Sequence, residues 1–457
     1  MSHQKVFDVI VVGGGPSGVC AAISAARNGL DVLLIERYGF LGGMNTAGLV
    51  GPLMTFHAGN LQIVRGIPDE LIEELKSQNG SPGHLVDPIW GSTSLTPIDT
   101  DIYKGVLIKK TTSAGVEHLL HSMVIGIKRS GSELKEIQVA NKKGIQTFQA
   151  KTFIDCSGDG DLAFHSGCKF QFGREKDNLA QPMSLLFKMN DVDESAIRSE
   201  IRRNPKNFYL GFELEKYLSL EALAVSGFFE EVTTAKKEGR FPADRDRVLF
   251  FGTPKKGQII VNTLRISKVD GTNPHDLTRA EITLRLELPK LVHFMKSDLP
   301  GFSNSSLGEV AAQVGIRETR HIFGRQTLTT QDVLTRKCQD SVIAHANYPI
   351  DVHSPDGSGM TIQQAGKTNR TYYDIPAGAL MPRGMDNLLV CGRSISAEHE
   401  ASGSARISAT CMALGQACGV MASEMIKFGV RRFEDIKIAN VQSQLENMDA
   451  FLEPPRP

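Results

Sequence analysis

An α/β fold is predicted for this chain: a parallel sheet that carries a three-stranded β-meander and is interrupted by an inserted α+β domain. Three observations predict it. The chain opens on an apolar run, a glycine turn, an Ala-rich stretch and a second apolar run. Alternating segments with turn signals follow between Glu117 and Ser157. A last buried run over residues 387–391 precedes a long Ala/Gly-rich stretch. The 457 residues suffice for two domains with cores of their own.

Residues 7–12 (FDVIVV) are apolar and β-branched, the pattern of a parallel strand buried on both faces. Three glycines, 13–15, break the run, and Pro16 opens a helix at a position where its missing N–H costs nothing. That helix covers 17–28 and is capped by Gly29; residues 31–36 (DVLLIE) form the second strand. After a Gly-rich loop, residues near 66–77 and 101–115 have helical character. HLLHSMVIGIK, ELKEIQVAN and IQTFQAKTFIDCSG then read as the meander, with turns at 130–132 and 141–144. Its third strand returns to the parallel sheet through 152–156.

The first domain is expected to span 1–167 and to resume over 381–430, with the insert at 168–380 and a tail at 431–457 that ends proline-rich. Within the insert, 183–189 reads as one strand and 193–203 and 219–237 as helical. Strands follow near 247–252 and 257–266, then a helix over 278–296. The strand 387–391 (NLLVC) leads to one helix over about 404–428.

Lys+Arg and Asp+Glu both number 51, so no overall charge draws the chain to nucleic acid or anionic membrane. The seven cysteines form no C-x-x-C pair and read as reduced thiols of a cytoplasmic protein. No stretch reaches the length of a transmembrane helix. His84, His118, His121 and His165 lack metal-ligand spacing, and no metal is expected.

The strongest local signal is Gly13-x-Gly15-x-x-Gly18 between strand and helix, with Glu36 closing the next strand. Gly13 permits the tight turn, Gly15 lets the backbone approach a pyrophosphate, and Gly18 lets helix pack on strand. The pyrophosphate would lie on the helix N-terminus, beside Pro16 and Ser17, and Glu36 would accept from ribose hydroxyls. By itself the motif serves FAD or NAD; an acid at Glu36 disfavours the 2′-phosphate of NADP.

Further segments carry a resemblance: ERYGFLGGMNTAG from Glu36, IDCSGDGDLA from Ile154, GIRETRHIFGRQTLTTQDVL from Gly315, YPIDVHSPDGSG from Tyr348 and GRSISAEHEASGSARISATCMALGQACG from Gly392. Together they resemble the FAD-dependent oxidoreductase family of the glutathione reductase-type flavoprotein superfamily, whose fold is a Rossmann-like FAD/NAD(P)-binding domain. The resemblance implies FAD as cofactor, with Glu36 and Arg37 at the ribose and Gly42, Gly43, Met44 and Asn45 along the flavin's path. It implies an adenine contact at the Val124 backbone, a second flavin motif at Gly158 and Asp159, and ribityl and ring contacts at Gly392, Arg393, Ser404, Arg406 and Ile407.

No second GxGxxG unit is visible, and residues 44–48 lack paired cysteines, so a disulfide reductase is not expected. Arg317, Arg320 and His321 are the candidate substrate anchors, on adjoining faces of a helix; a solvated ion-pair cluster is the alternative. His353 and His399 are candidate proton-transfer residues, or packing histidines. Asn262 and Arg265 are weaker candidates. The expected reaction is hydride transfer between flavin N5 and a small polar, anionic organic substrate. A flavin monooxygenase using diffusible NAD(P)H, or a non-redox nucleotide-binding or RNA-modifying protein, are the alternatives. NAD(P)H or another electron acceptor is the expected second partner, and a homodimer the expected assembly.

Overall fold

The computed structural model describes residues 5–453, apart from 91–92, 357–358, 364–365 and 367–369. The proline-rich end at 454–457 and two residues of the YPIDVHSPDGSG segment lie outside the described residues.

The chain starts β1 (Val6–Val12), α1 (Pro16–Arg27), β2 (Val32–Ile35), α2 (Ile67–Ser77) and α3 (Thr100–Ser113). There follow β3 (Glu117–Leu119), β4 (Met123–Ser130), β5 (Glu133–Asn141) and β6 (Gly144–Asp155). The first meander segment is not the single strand expected. HLLHSMVIGIK is two strands, split at His121 with φ 52°. The first, β3, pairs parallel with β2, while β4 begins the meander. Its alternation conceals the break, which is held from outside by His121 N–H on Tyr38 O and Ser122 N–H on Glu36 O.

The resulting sheet runs β3-β2-β1-β6-β5-β4. β6 belongs to both halves: residues 144–149 pair antiparallel with β5, and 149–155 run parallel to β1. Where β5 leaves β6, a late strand takes its edge, Phe153 opposite Leu388. Asn387 fills the join, its amide donating to Leu134 O and Lys151 O and accepting from Leu134 N–H, each at 2.9 Å. Val9 and Val11 pack on α1, while Ile10 and Val12 face the meander core, as expected of a strand covered on both sides.

A second sheet is built from β7 (Phe187–Asn190), β8 (Ala224–Gly227), β9 (Val248–Gly252), β10 (Ile259–Val261) and, after the long helix α4 (Pro274–Asp298), β11 (Ser306–Val310). Its order is β8-β9-β10-β7-β11. Phe250, Val225 and Val261 on one face join Leu284 and Leu291 of α4 in a separate core. Ser226, Leu249 and Phe251, on the other face, line a cavity. The single strand expected over 183–189 is broken, a two-residue strand Met183–Ser184 preceding β7. The helix expected over 219–237 is β8 followed by a helix at Phe229–Lys237; Phe228 turns the chain between them at φ 62°.

The chain then passes through β12 (Arg320–Ile322) and β13 (Ile350–His353) to the late strand β14 (Leu388–Val390), α5 (His399–Ala405) and α6 (Ser408–Lys427). Leu328, Val342 and Ile375, which the sequence groups with the insert, pack in the same core as Val9 and α1. The expected single helix over 404–428 is two, broken at Arg406–Ile407. α6 lies close along α1: a Cβ at Gly415 would come 2.1 Å from Ser17 O, and one at Gly419 would come 2.6 Å from Ala21 O.

Candidate active site

A single cavity runs from the glycine turn after β1, past the start of α6, to the inner face of the second sheet. At its first end, neither α1 nor α6 has a side-chain N-cap. The N–H groups of two first turns are therefore left to a ligand, with the partial positive charge of each helix end behind them.

The three glycines of the turn divide into two kinds. Gly13 has φ 98°, and a Cβ there would lie 2.3 Å from Cys156 O; a Cβ at Gly18 would lie 1.8 Å from Gly13 O. Both are required by the protein's own packing. Gly15 is not: its φ is −73°, and the nearest protein atom to a Cβ would be 3.8 Å away. A side chain there would fill the cradle itself, so the position fits a ligand approaching the backbone.

Glu36 lines the same end, 5% exposed. Its carboxylate accepts from Gly14 N–H at 2.6 Å and Tyr38 N–H at 2.9 Å. It therefore closes the glycine loop as well as facing the cavity, and each oxygen retains a lone pair for a ribose hydroxyl. Burial raises its pKa, with those backbone bonds opposing. Pro16, Ser17, Arg37, Gly43, Met44 and Asn45 line the cavity too. Gly42 lies just behind, its N–H bonded to Gly14 O at 2.8 Å. The Asn45 amide donates to Val50 O at 2.6 Å and Ser408 Oγ at 3.0 Å, while its buried Oδ1 has no partner.

Gly158, Gly392, Arg393, Arg406 and Ile407 also reach the cavity. The guanidinium of Arg393 covers Gly158, bonds Asp159 at 2.7 Å and keeps a buried Nε without a partner. Asp159 itself is turned away, accepting from Arg393 and from Thr319 Oγ at 2.9 Å. Val124 does not line the cavity; its side chain is in the meander core, two residues beyond the Ser122–Glu36 bond. Ser404 is buried behind, donating to Tyr348 O at 2.5 Å and bonded to Tyr373 Oη.

The far end is cationic. Arg245, Arg317 and Arg406 line it together with Asn262, Asp351 and His353. Arg245 donates to Asn262 O, and Arg317 to Pro182 O at 2.6 Å and Asn262 Oδ1 at 3.4 Å. Gln181 Oε1 accepts from His353 N–H and Arg406 Nη2. Among the described residues none of the three arginines makes an ion pair with a carboxylate, and Arg406 Nε is buried without a partner. Burial and the neighbouring Arg406 and Arg245 push Arg317 down to about 9. His353 lies well below its ordinary value, through burial and then the field of Arg317, Arg245 and Arg406. Its Nδ1 has no partner, and its Nε2 is 3.7 Å from Asp351 Oδ2.

Three candidates named with Arg317 are elsewhere. The stretch is not helical, and Arg320 and His321 belong to β12, paired with residues 170–172. Arg320 bonds Asp159 O and Asp161 Oδ1, each at 2.9 Å, and lies over the Phe164 ring, fastening the loop after β6. His321 Nε2 and His399 Nδ1 both bond Glu318 Oε1, at 2.7 and 2.6 Å. Burial alone would raise Glu318, but these two histidines outweigh it and hold its pKa at about 2. Neither histidine lines the cavity. Arg265 is nearby, donating to Asp244 O. Arg245, Asp351, Tyr348 and Trp90 escaped sequence reasoning. Arg245 is in the charged run DRDR, which reads as solvated surface, and only Trp90's status as the single tryptophan could have drawn notice.

A glycine cradle between two helix N-termini, opening on a charged chamber, defines an enzyme that uses a dinucleotide beside its substrate. The chain belongs to the FAD dependent oxidoreductase family, whose model matches residues 8–445, and its cofactor is FAD. A digeranylgeranylglycerophospholipid reductase of Methanocella arvoryzae is 27% identical over 218 residues, 46% of this chain and 51% of that protein. A ferredoxin–NADP reductase of Lacticaseibacillus paracasei is 35% identical over 101 residues, 22% of this chain and 29% of that protein. These matches thus span about half or less of the relatives' own lengths. A solved geranylgeranyl bacteriochlorophyll reductase-like protein of Thermoplasma acidophilum aligns with TM-score 0.48 and 13% identity, over 97% of this chain and 84% of that one. No helix among the described residues is long and apolar enough to cross a membrane, and no group of three His, Cys, Asp or Glu among them is placed to hold a metal ion.

Proposed function

We propose that this oxidoreductase exchanges a hydride between FAD and an organic anion held at the cationic end of the cavity. The observation that carries the reading is the arginine set Arg245, Arg317 and Arg406, without ion-pair partners among the described residues, in the cavity that also holds the glycine cradle. A partly buried guanidinium without a counter-ion is costly, and a carboxylate or phosphate on the substrate supplies what is missing.

FAD, when bound, supplies a two-electron hydride acceptor or donor. The helix ends, Gly15, Glu36 and Arg37 hold its adenosine and pyrophosphate in this reading, and Asn45, Arg393 and the start of α6 hold the ribityl chain and ring. Arg317 and Arg245 orient the acid group. His353, kept neutral by burial and the surrounding arginines, takes the proton that leaves the substrate's O–H or N–H, or returns it in reverse. Asp351 Oδ2 lies 3.7 Å from its other nitrogen. An electron acceptor reoxidises the flavin when the substrate is oxidised, and diffusible NAD(P)H reduces it when the reaction runs the other way. The chain acts as a homodimer in the cytoplasm, in keeping with seven cysteines that form no disulfide.

The test is an anaerobic titration of the oxidised holoenzyme, followed by the flavin band near about 450 nm. Bleaching by hydroxy or amino acids, or recolouring of the reduced enzyme by oxo acids, is expected. Bleaching by NADH or NADPH alone, with no response to any acid, would replace this reading with the monooxygenase one.

A further inference from the structure

The two flanks of the far chamber differ in chemistry. One is the arginine flank, where Arg245 and Arg317 meet on Asn262. The other is apolar and aromatic. Phe251 and Ile89 belong to a small core of their own, with Trp90 and Leu249 packed against it. Trp90 and Tyr209 have ring centroids 5.8 Å apart, and all five residues line the cavity. Tyr348 joins the flanks: its hydroxyl accepts from Trp90 Nε1 at 3.2 Å, and its carbonyl accepts from Ser404 beside Arg406.

Trp90 thus has its one polar atom satisfied and presents only ring surface to the chamber. Tyr209 remains 41% exposed and Leu249 part-exposed, while Phe251 has backbone partners on both sides in β8 and β10. A chamber meant for a short, fully polar acid gains nothing from such a wall. Apolar surface left uncovered beside a cation cluster suits a molecule with a charged end and a flat apolar end.

We propose that the substrate is an amphipathic organic acid, its acid group on Arg245 and Arg317 and a ring-sized apolar body against Trp90, Tyr209 and Phe251. This rests on the hydride-exchange reading above and sharpens it, from a small polar anion to an acid with an apolar body. Trp90 and Tyr209 are then specificity-determining residues.

The test is calorimetric binding to the FAD-loaded protein, with phenylacetate and indole-3-acetate as aryl probes and acetate and propionate as short ones. Wild type is expected to bind the aryl acids at least about tenfold more tightly. Trp90→Ala should lose about tenfold for the aryl acids and leave the short acids unchanged, with Tyr209→Ala the same in smaller degree. Arg317→Met should weaken both classes. Equal affinity for the two classes, or an equal loss of both in Trp90→Ala, overturns this inference and leaves the hydride-exchange reading standing. Loss of FAD from Trp90→Ala with the acid preference unchanged assigns the wall to the flavin ring and also overturns it. No binding of any acid by wild type overturns both.

Discussion

The two ends of the cavity handle charge in opposite ways. At the cradle, Glu36 is already bonded to two backbone N–H groups, Arg393 is paired with Asp159, and the remaining positive character belongs to Arg37 and to backbone dipoles. At the far end, three guanidiniums converge on carbonyls and amides, and none has a carboxylate partner among the described residues. The cradle's charged side chains are paired already, and what it leaves open are backbone N–H groups, Asn45 Oδ1 and Arg393 Nε. The far end gathers the three guanidiniums around one carboxylate, Asp351, that forms an ion pair with none of them. In the proposed reading recognition belongs to the far end, and changes at the two ends should separate in measurement.

The largest expected effect tests the proton-transfer role. His353→Asn should slow flavin reduction by a saturating substrate about 10²–10⁴-fold in stopped flow, with FAD content unchanged. In wild type, neutral His353 must persist well below pH 6.5, so the rate should stay flat through that pH and fall only in stronger acid. The linked stability has a definite sign. The unfolded histidine binds a proton below about 6.5 and the folded one does not, so stability drops as pH falls through that range. His353→Asn should flatten that slope in denaturant titrations; an unchanged slope would remove His353 from the buried, neutral state described.

Next in size are the glycines. Gly13→Ala sets a Cβ against Cys156 O at a left-handed φ and should cost about 3 kcal/mol or more in urea unfolding. Gly15→Val should leave apoprotein stability within about 1 kcal/mol and still lose FAD on gel filtration. Equal damage to the fold from both would erase the distinction drawn between them. Arg317→Met comes third: acid affinity should fall by about 3 kcal/mol, while the ligand-free protein becomes equally or more stable, by up to about 1 kcal/mol. A large loss of stability would show that Asp351, the carboxylate in the same chamber, already serves Arg317 as its counter-charge. The smallest effect is that of Arg320→Met, about 1–2 kcal/mol of stability from the unfastened 158–161 loop, with acid affinity unchanged.

That last pair bears on what could be read in the sequence. Arg317, Arg320 and His321 are neighbours in RETRH, and their spacing reads as one cluster on a helix. In an extended chain they diverge: Arg317 enters the chamber, Arg320 turns to Asp161, and His321 turns to Glu318. Charge spacing alone carries no information on which backbone period applies, and this segment has too few apolar residues to show one. The meander was legible because its turns are marked by Ser-Gly-Ser and Asn-Lys-Lys-Gly. The kink at His121 was not, since partners 85 and 83 residues earlier, Glu36 and Tyr38, hold it. The break at Arg406–Ile407 was hidden inside a run of good helix formers.

By itself, the sequence determined the glycine turn, the strand and helix around it, the acid at Glu36 and hence a dinucleotide handle. Each of these is a local consequence of backbone conformation, and residues within one turn suffice to specify it. The tertiary structure alone decided that Arg245, Arg317 and Arg406 share one chamber, that Asp351 and His353 lie in their field, and that Trp90 lines the same cavity. Those residues come from five separate stretches of chain. What unites them is the cavity they line together, whose walls rest on separate cores buried elsewhere in the molecule, not on the residues of the site.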